Sequence, residues 1–318
     1  MSFRSYVARR LVWTLLAVWL VLTASFLFVA LLPDPNITMT RWGGGEEAAQ
    51  AYIEARDYGE PLLNRYVDWV GSFLTFEFGD SARSGESARA MLADRLPVTL
   101  SYMVPAMVIA VLVGPLVGLF AAMRHGKIVD RLTTVATYLG MAVPAFLLGE
   151  LVLLVVLLHL GDYPLAYVDE QPFHSPTNRK VLAMPMLVTA VNMLVVQVRY
   201  ARAESLEYLP ADFVKTLRAS GASGLDVARH VFRNAAVPLV SLFLTEMLTV
   251  LFVTVYVVEY VFEVPGIGWM AIYAIKWQDP AAILASVFLP VYIALLGSFL
   301  QDVAYTWLDP RIDLGSEE

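Results

Sequence analysis

The stretch ADFVKTLRASGASGLDVARHVFRNAAVPL, residues 211–239, is a polar segment between two long apolar runs. Its first part has apolar residues at the spacing of one helix face, namely Phe213, Val214 and Leu217. Asp212 is predicted to cap the start of this helix. Gly221 is predicted to end it, because glycine tolerates the positive φ that closes many helices.

The second part of the stretch predicts another helix. Ser223 and Asp226 have the spacing of a capping box, in which each residue satisfies a backbone N–H of the other. Apolar residues then recur at helical intervals, at Leu225, Ala228, Phe232 and Ala235. We therefore expect a short helix, a glycine corner and a second helix. Such an element fits either an amphipathic loop on lipid headgroups or a docking helix for a partner groove.

The composition indicates a protein that crosses a membrane several times. Of 318 residues, 58% are hydrophobic and 16% are charged, whereas soluble domains carry about 25% charged residues. The chain has no cysteine, which excludes disulfides and thiolate metal sites. Its formal net charge is −7, and no basic stripe indicates binding to nucleic acid.

Six apolar runs are long enough to span a bilayer, which needs about 20 residues. They are residues 11–32, 98–123, 132–158 (interrupted by Glu150), 181–198, 235–258 (interrupted by Glu246) and 281–301. The first is too long for a signal peptide core of about 7–15 residues, so it is predicted to be retained. The predicted fold class is an all-α membrane protein with six transmembrane helices.

The distribution of Lys and Arg predicts the orientation. Basic residues concentrate in the N-terminus, the 124–131 loop and the 199–233 segment, and such segments stay in the cytoplasm. The predicted divisions are a cytoplasmic N-terminus (1–10), span 1 (11–32), an external loop (33–97), a helical core (98–308) with a cytoplasmic loop at 203–234, and a cytoplasmic tail (309–318). The external loop is predicted to contain a helical hairpin, from the runs EEAAQAYIEARDY and PLLNRYVDWVGSFLTF.

Two glutamates lie inside predicted spans, and two further residues mark the end of span five. Glu150 and Glu246 are candidates for the translocation path, since a carboxylate in a membrane is costly and often functional. They would also serve a proton-coupled secondary transporter, which is the alternative function. Glu259 and Pro265 stand where glycines and a proline break the helix. They predict either a simple turn or an external gate.

The sequence motifs that could indicate an enzyme are incomplete or lie in the wrong context. Residues 221–224 have the Gly-x-Ser-Gly form of rhomboid-type proteases, but Ser223 lies in a charged loop rather than in a span. The Gly126-Lys127 pair lacks both the first glycine and the Ser or Thr of a nucleotide-binding P-loop. The four histidines show no metal-ligand spacing. We predict no catalytic, cofactor-binding or metal-binding residues in this chain.

The segment at 212–239 resembles the cytoplasmic EAA loop of ABC-importer permeases, with Lys215-Thr216-Leu217 in place of the Glu-Ala-Ala triplet and Gly221 as the following glycine. The peptide-importer branch is similar, since a triplet of the Arg-Thr-Ala type is usual there. Other segments also resemble that branch: RSYVARRLVWTLLAVWLVLTASFLFVALLPDP, FEFGDSARSGESARAMLADRLPVTLSY, VVEYVFEVPGIG and AYTWLDPRIDL. The chain is thus similar to the first, B-type, membrane subunit of dipeptide, oligopeptide and nickel importers.

The resemblance implies a type I ABC importer permease fold in the cell membrane, with both termini cytoplasmic. It implies a heterodimer with a second homologous permease, two cytoplasmic ATPases that use ATP and Mg²⁺, and an extracellular substrate-binding protein. A peptide substrate would pass by alternating access, with nickel complexes or short sugars as alternatives. The coupling helix would comprise Asp212, Phe213, Val214, Lys215, Thr216, Leu217, Arg218, Ala219, Ser220 and Gly221. Phe213 and Leu217 would be its anchors in the ATPase.

Overall fold

A computed structural model describes residues 3–30, 60–81, 83–277 and 279–308. Within these ranges the chain is helical, with turns and loops and no strand, which confirms the predicted all-α class. The helices are α1 (Phe3–Ala30), α2 (Leu62–Thr75), α3 (Ala88–Met123), α4 (Ile128–Ala142), α5 (Ala145–His159), α6 (Pro176–Tyr208), α7 (Asp212–Ala219), α8 (Gly224–Thr249), α9 (Val255–Val261), α10 (Ile267–Lys276) and α11 (Pro280–Leu308).

Four helical stretches are long and apolar enough to cross a membrane: Val7–Ala24 in α1, α3, α6 and Ala281–Phe299 in α11. Six crossings result if each of two bent helix pairs counts as one span, and these pairs are α4 with α5 and the two parts of α8. The multi-span character is therefore confirmed for the described residues.

The run at 132–158 does not form the single span that its hydropathy predicts. It is divided between α4 and α5, which meet at an angle of 101°. The break falls at Val143 and Pro144, and Glu150 lies within regular helix. Proline cannot donate a backbone hydrogen bond and disfavours helical backbone in the preceding residue, so the helix ends there.

The run at 235–258 also differs from the predicted single helix. Its helix α8 begins earlier, at Gly224, and bends by 51° between Ala236 and Pro238. A π-helical turn, Val250–Thr254, then separates α8 from α9. Glu246, the one charged residue of this run that precedes Glu259, lies in the continuous helix α8.

Helices α3 and α6 extend well beyond the apolar runs that predicted them. Helix α3 has 36 residues and α6 has 33, which correspond to about 54 and 50 Å at 1.5 Å per residue. The external loop predicted for 33–97 therefore already contains the first turns of α3, from Ala88. Hydropathy identifies only the part of a helix that suits the bilayer.

The described residues divide into two compact units. In the first, which holds the chain up to Asp94 and Met270–Val303, aromatic side chains of α1, α2 and α11 pack together: Phe26, Tyr66, Trp69, Phe73, Phe288 and Tyr292. The second predicted helix of the external loop is confirmed as α2. Its predicted partner, EEAAQAYIEARDY, lies outside the described residues.

The second unit contains Arg95–Trp269. Its helices pack closely, with α6 against α4, α5 and α8. Gly118 of α3 lies so near the backbone of α6 at Val198 and Arg202 that a Cβ there would overlap with it. The absence of a side chain at Gly118 is what permits this approach. All of the candidate functional residues described below belong to this unit.

Candidate functional site

Helix α7 has only eight residues, and isolated helices of fewer than about 12–15 residues are marginal in water. It is held by Val214, which is fully buried in an apolar cluster with Leu119, Val227, Ala228 and Val231. Tyr208, Leu209 and Phe213 pack against the same cluster. The helix is thus fixed to the end of α3, the end of α6 and the beginning of α8.

The start of α7 differs from the predicted cap. Ala211 occupies the N-cap position and provides no capping side chain, so the assignment of Asp212 as N-cap is wrong. Asp212 lies one position further on, inside the helix, and its carboxylate accepts a hydrogen bond from Lys215 Nζ at 2.8 Å. An acidic residue in the first turn still favours the helix, because it complements the partial positive charge of that end.

The end of α7 confirms the predicted glycine corner. Gly221 has a φ of +84°. Its N–H donates to the Arg218 carbonyl at 3.1 Å, and the N–H of Ala222 donates to the Leu217 carbonyl at 3.0 Å. These two hydrogen bonds define a Schellman motif, which satisfies carbonyl groups that a helix end otherwise leaves unpaired.

The capping box at the start of α8 is also confirmed. Ser223 Oγ accepts from the N–H of Asp226 at 3.3 Å, and Asp226 Oδ2 accepts from the N–H of Ser223 at 3.0 Å. The Ser223 hydroxyl donates to the same carboxylate oxygen at 2.6 Å. Because its hydroxyl is engaged in capping, Ser223 has a structural role that needs no proteolytic chemistry.

The exposed face of α7 and its glycine corner carries polar and small side chains rather than large apolar ones. Its exposed residues are Asp212, Lys215, Thr216, Arg218, Ala219, Ser220 and Gly221. Leu217 is half-buried, and Phe213 packs against the protein's own cluster. Among the exposed residues, Lys215, Thr216 and Ala219 are spaced so that they lie on one side of the helix.

Glu259 lies fully buried where α9 approaches α3. Its carboxylate accepts hydrogen bonds from Thr99 Oγ1 at 2.6 Å, Tyr102 Oη at 2.9 Å and the backbone N–H of Trp269 at 3.0 Å. The Thr99 hydroxyl also accepts from the N–H of Ile267 at 2.9 Å. This network links α3 and α9 to the first turn of α10, which follows the loop after α9.

The loop between α9 and α10 has no room for a side chain at Gly266. A Cβ on Gly266 would overlap with the carboxylate of Glu259 and the hydroxyl of Thr99. Pro265 is buried, and its carbonyl accepts from Arg95 Nη1 at 3.2 Å. In this arrangement Glu259 and Pro265 organise the loop from inside and do not line an open surface.

The two intramembrane candidates have different surroundings. Glu246 is half-buried and accepts a hydrogen bond from Gln197 Nε2 at 2.5 Å. Gln197 itself is fully buried, and its Oε1 has no partner among the described residues. Glu150 is exposed on α5. Within the part of the chain described, no hydrogen bond joins Glu150 to Glu246.

Several residues that matter for this geometry are not apparent from the sequence. Thr99, Tyr102 and Gln197 lie within apolar runs and resemble isolated polar residues of a span. Asp130 is nearly buried and pairs with Arg202. Only the cost of placing polar groups in a membrane marks them as residues that need partners. Across the described ranges, no group of three His, Asp or Glu side chains is arranged to hold a metal.

Comparison with known proteins identifies the class. Residues 114–314 match the family described as "Binding-protein-dependent transport system inner membrane component". The dipeptide transport system permease protein DppB of Bacillus subtilis is 29% identical over 306 residues, covering 95% of this chain and 96% of its own. The oligopeptide transport system permease protein AppB of the same species is 26% identical, covering 97% and 99%. A DppB of Lactococcus lactis is 27% identical, covering 97% and 99%.

The chain therefore belongs to the family of membrane components of binding-protein-dependent transport systems. More narrowly, it is a permease subunit of the peptide ABC importer type, as the sequence resemblance predicted.

Proposed function

We propose that this chain forms part of the translocation pathway of an ATP-driven importer of di- and oligopeptides. The importer contains a second homologous permease, two cytoplasmic ATPase subunits and an extracellular binding protein. Both termini and α7 face the cytoplasm, and the external loop before α3 docks the binding protein. ATP and Mg²⁺ are used by the ATPases, while this subunit makes and breaks no covalent bond. Names of similar permeases, which specify dipeptide and oligopeptide transport, support the substrate class.

The observation that carries the proposal is the way α7 is held. A short helix with a polar, exposed face is fixed by one buried valine, a Schellman motif and a capping box. Such an element presents a rigid surface. A displacement of α7 would therefore be transmitted to the helices that it contacts, α3, α6 and α8. We propose that Lys215, Thr216 and Ala219 contact the ATPase. Phe213 packs against the apolar cluster of this chain and would transmit movement of α7 to it.

The alternative, a proton-coupled secondary transporter, would use Glu150 and Glu246. Glu246 offers a specific observation, since it is a half-buried intramembrane carboxylate with a buried amide beside it. Membership in a family of ABC importer components favours the ATP-driven mechanism. We therefore propose that Glu150 and Glu246 face the pathway without carrying the driving proton.

The test is purification of the tagged chain from its native cell in mild detergent, with mass spectrometry and an ATPase assay. We expect two P-loop proteins and a second multi-span permease to be recovered with it. Lys215→Glu reverses a charge on the exposed face of α7 and should reduce recovery of the ATPases. Lys180→Glu, on an exposed lysine at the start of α6, is the matched control. Recovery of the chain alone, or equal effects of both variants, would contradict the proposal.

A further inference from the structure

Asp130, in the first turn of α4, is an almost completely buried carboxylate that the mechanism above does not use. Arg202 of α6 holds both of its oxygens, with Nε donating to Oδ1 at 2.5 Å and Nη2 to Oδ2 at 3.1 Å. The N–H of Gly126 donates to Oδ2 at 2.9 Å, and His125 Nδ1 lies 3.0 Å from the same atom. This carboxylate does not cap α4, whose N-cap residue is Lys127.

A buried ion pair contributes little net stability compared with well-packed apolar residues, because both charges lose their hydration. Such a pair matters mainly because it fixes the relative position of the two elements that carry its residues. A guanidinium that binds a carboxylate through two parallel hydrogen bonds fixes both distance and orientation. The Asp130–Arg202 pair therefore sets the position of α4 and the 124–127 turn relative to α6.

Arg202 lies on the helix whose end contacts α7. Arg202 stands six residues before the end of α6 at Tyr208. Tyr208 and Leu209 pack against the cluster that buries Val214 of α7. The backbone of Arg202 is itself fixed by the close approach of Gly118 on α3. A displacement of α7 thus reaches α6 within two turns of the point where Arg202 binds Asp130.

From this geometry we infer that Asp130 and Arg202 are positioning residues that make α4 and α6 move together when the ATPases displace α7. The inference rests on the proposed function, since it assumes that α7 receives the displacement. With the pair disrupted, the ATPases still bind and hydrolyse ATP. The movement of α6 then no longer carries α4 with it, so fewer peptides cross for each ATP hydrolysed.

Arg202→Lys is the sharpest test, because it keeps the charge and removes the two-pronged hydrogen bond. Arg179→Lys is the matched control: it makes the same chemical change at an exposed position near the start of the same helix. The assembled importer is reconstituted in liposomes, and peptide uptake and ATP hydrolysis are measured together. We expect the number of peptides imported per ATP to fall about three- to tenfold for Arg202→Lys, and to be unchanged for Arg179→Lys.

A purely structural role would reduce the yield of complex and leave the ratio of transport to hydrolysis unchanged in the complex that assembles. That result overturns the inference. If Arg202→Lys fails to assemble, the double variant Asp130→Asn with Arg202→Gln removes the charge of the buried carboxylate and of its partly exposed partner, and keeps a polar pair. A low ratio in the assembled double variant supports the inference, and a wild-type ratio overturns it.

The same experiment separates this inference from the proposed function. If the unmodified chain recovers no ATPases and shows no ATP-dependent uptake, both proposals fall. If the unmodified importer works and Arg202→Lys imports as many peptides per ATP, only the positioning role is overturned.

Discussion

Gly221 closes α7 with a backbone conformation that residues with a Cβ rarely adopt, at a φ of +84°. The space around it is open, because a Cβ there would meet no other heavy atom within 4 Å. Substitution therefore acts through backbone strain, on the order of 1–2 kcal/mol, and not through collision. Position 221 is a probe of the turn alone.

Gly221→Val should reduce peptide uptake about fivefold or more, since strain of that size shifts the turn away from its native conformation. Insertion into the membrane should be unaffected. Gly224→Ala is the control, because its surroundings are equally open and it needs no positive φ. Uptake by cells and the amount of each variant in the membrane are measured together. Equal uptake by the two variants would contradict a coupling role for the turn.

Gly266 presents the opposite case, in which space is the constraint. A Cβ there would overlap with the carboxylate of Glu259, which is already held by Tyr102 and Trp269. We expect Gly266→Ala to destabilise the protein by about 1–3 kcal/mol. Gly71→Ala, at an exposed helical position with open space, should be neutral or stabilising. Thermal unfolding in detergent distinguishes them, and equal midpoints would refute this account of the loop.

At the scale of elements, α7 depends on what it packs against. Eight residues gain too little from backbone hydrogen bonds to form a stable helix alone. Val214 is its one fully buried side chain. The helix should therefore loosen when the packing of that side chain is reduced, even though the exposed face is unchanged.

Val214→Ala should leave a cavity that costs on the order of 2 kcal/mol. Amides of residues 212–221 should then exchange their hydrogens faster, because local opening needs less free energy. Thr216→Ala, on the exposed face of the same helix, should leave exchange nearly unchanged. The measurement is hydrogen exchange followed by mass spectrometry. Unaltered exchange in Val214→Ala would show that α7 is held by other contacts.

The short helix could be predicted because its determinants are local. Phe213 and Leu217, the glycine and the capping box all lie within residues 213–226. Its N-cap was wrong by one residue, because Ala211 provides no side-chain signal. Hydropathy does not predict the break at Pro144, because it measures how apolar a run is and not whether the helix bends within it.

Long-range partners could not be predicted from one sequence. Glu259 was recognised as a candidate, but Thr99 lies 160 positions away and Tyr102 lies 157 positions away. Asp130 and Arg202 are separated by 72 positions. Nothing in the spacing of such residues indicates that folding brings them within hydrogen-bonding distance. Only the packing of α3, α4, α6 and α9 does so.

At the scale of the whole molecule, orientation in the membrane is a prediction from the distribution of Lys and Arg. The chain contains no cysteine, so a single introduced cysteine is a unique chemical label. Lys127 and Glu170 are both exposed, and they lie in the α3–α4 turn and the α5–α6 loop. These loops are predicted to face opposite sides of the membrane.

We expect Glu170→Cys to react with a membrane-impermeant maleimide in intact cells. Lys127→Cys should react only after the cells are permeabilised. The unmodified chain controls for background labelling, and labelling in detergent shows that both positions can react. Labelling of both variants from the same side would contradict the predicted topology.

The length of α3 has a mechanical consequence. Twenty residues separate Leu119, which packs with Val214, from Thr99, which binds Glu259; this is about 30 Å along one axis, the thickness of a bilayer's hydrocarbon core. Pro105 and Pro115 lie between them and each removes a backbone hydrogen bond. The helix therefore lacks two backbone hydrogen bonds between these two points, and bending at either proline costs less than bending elsewhere along it.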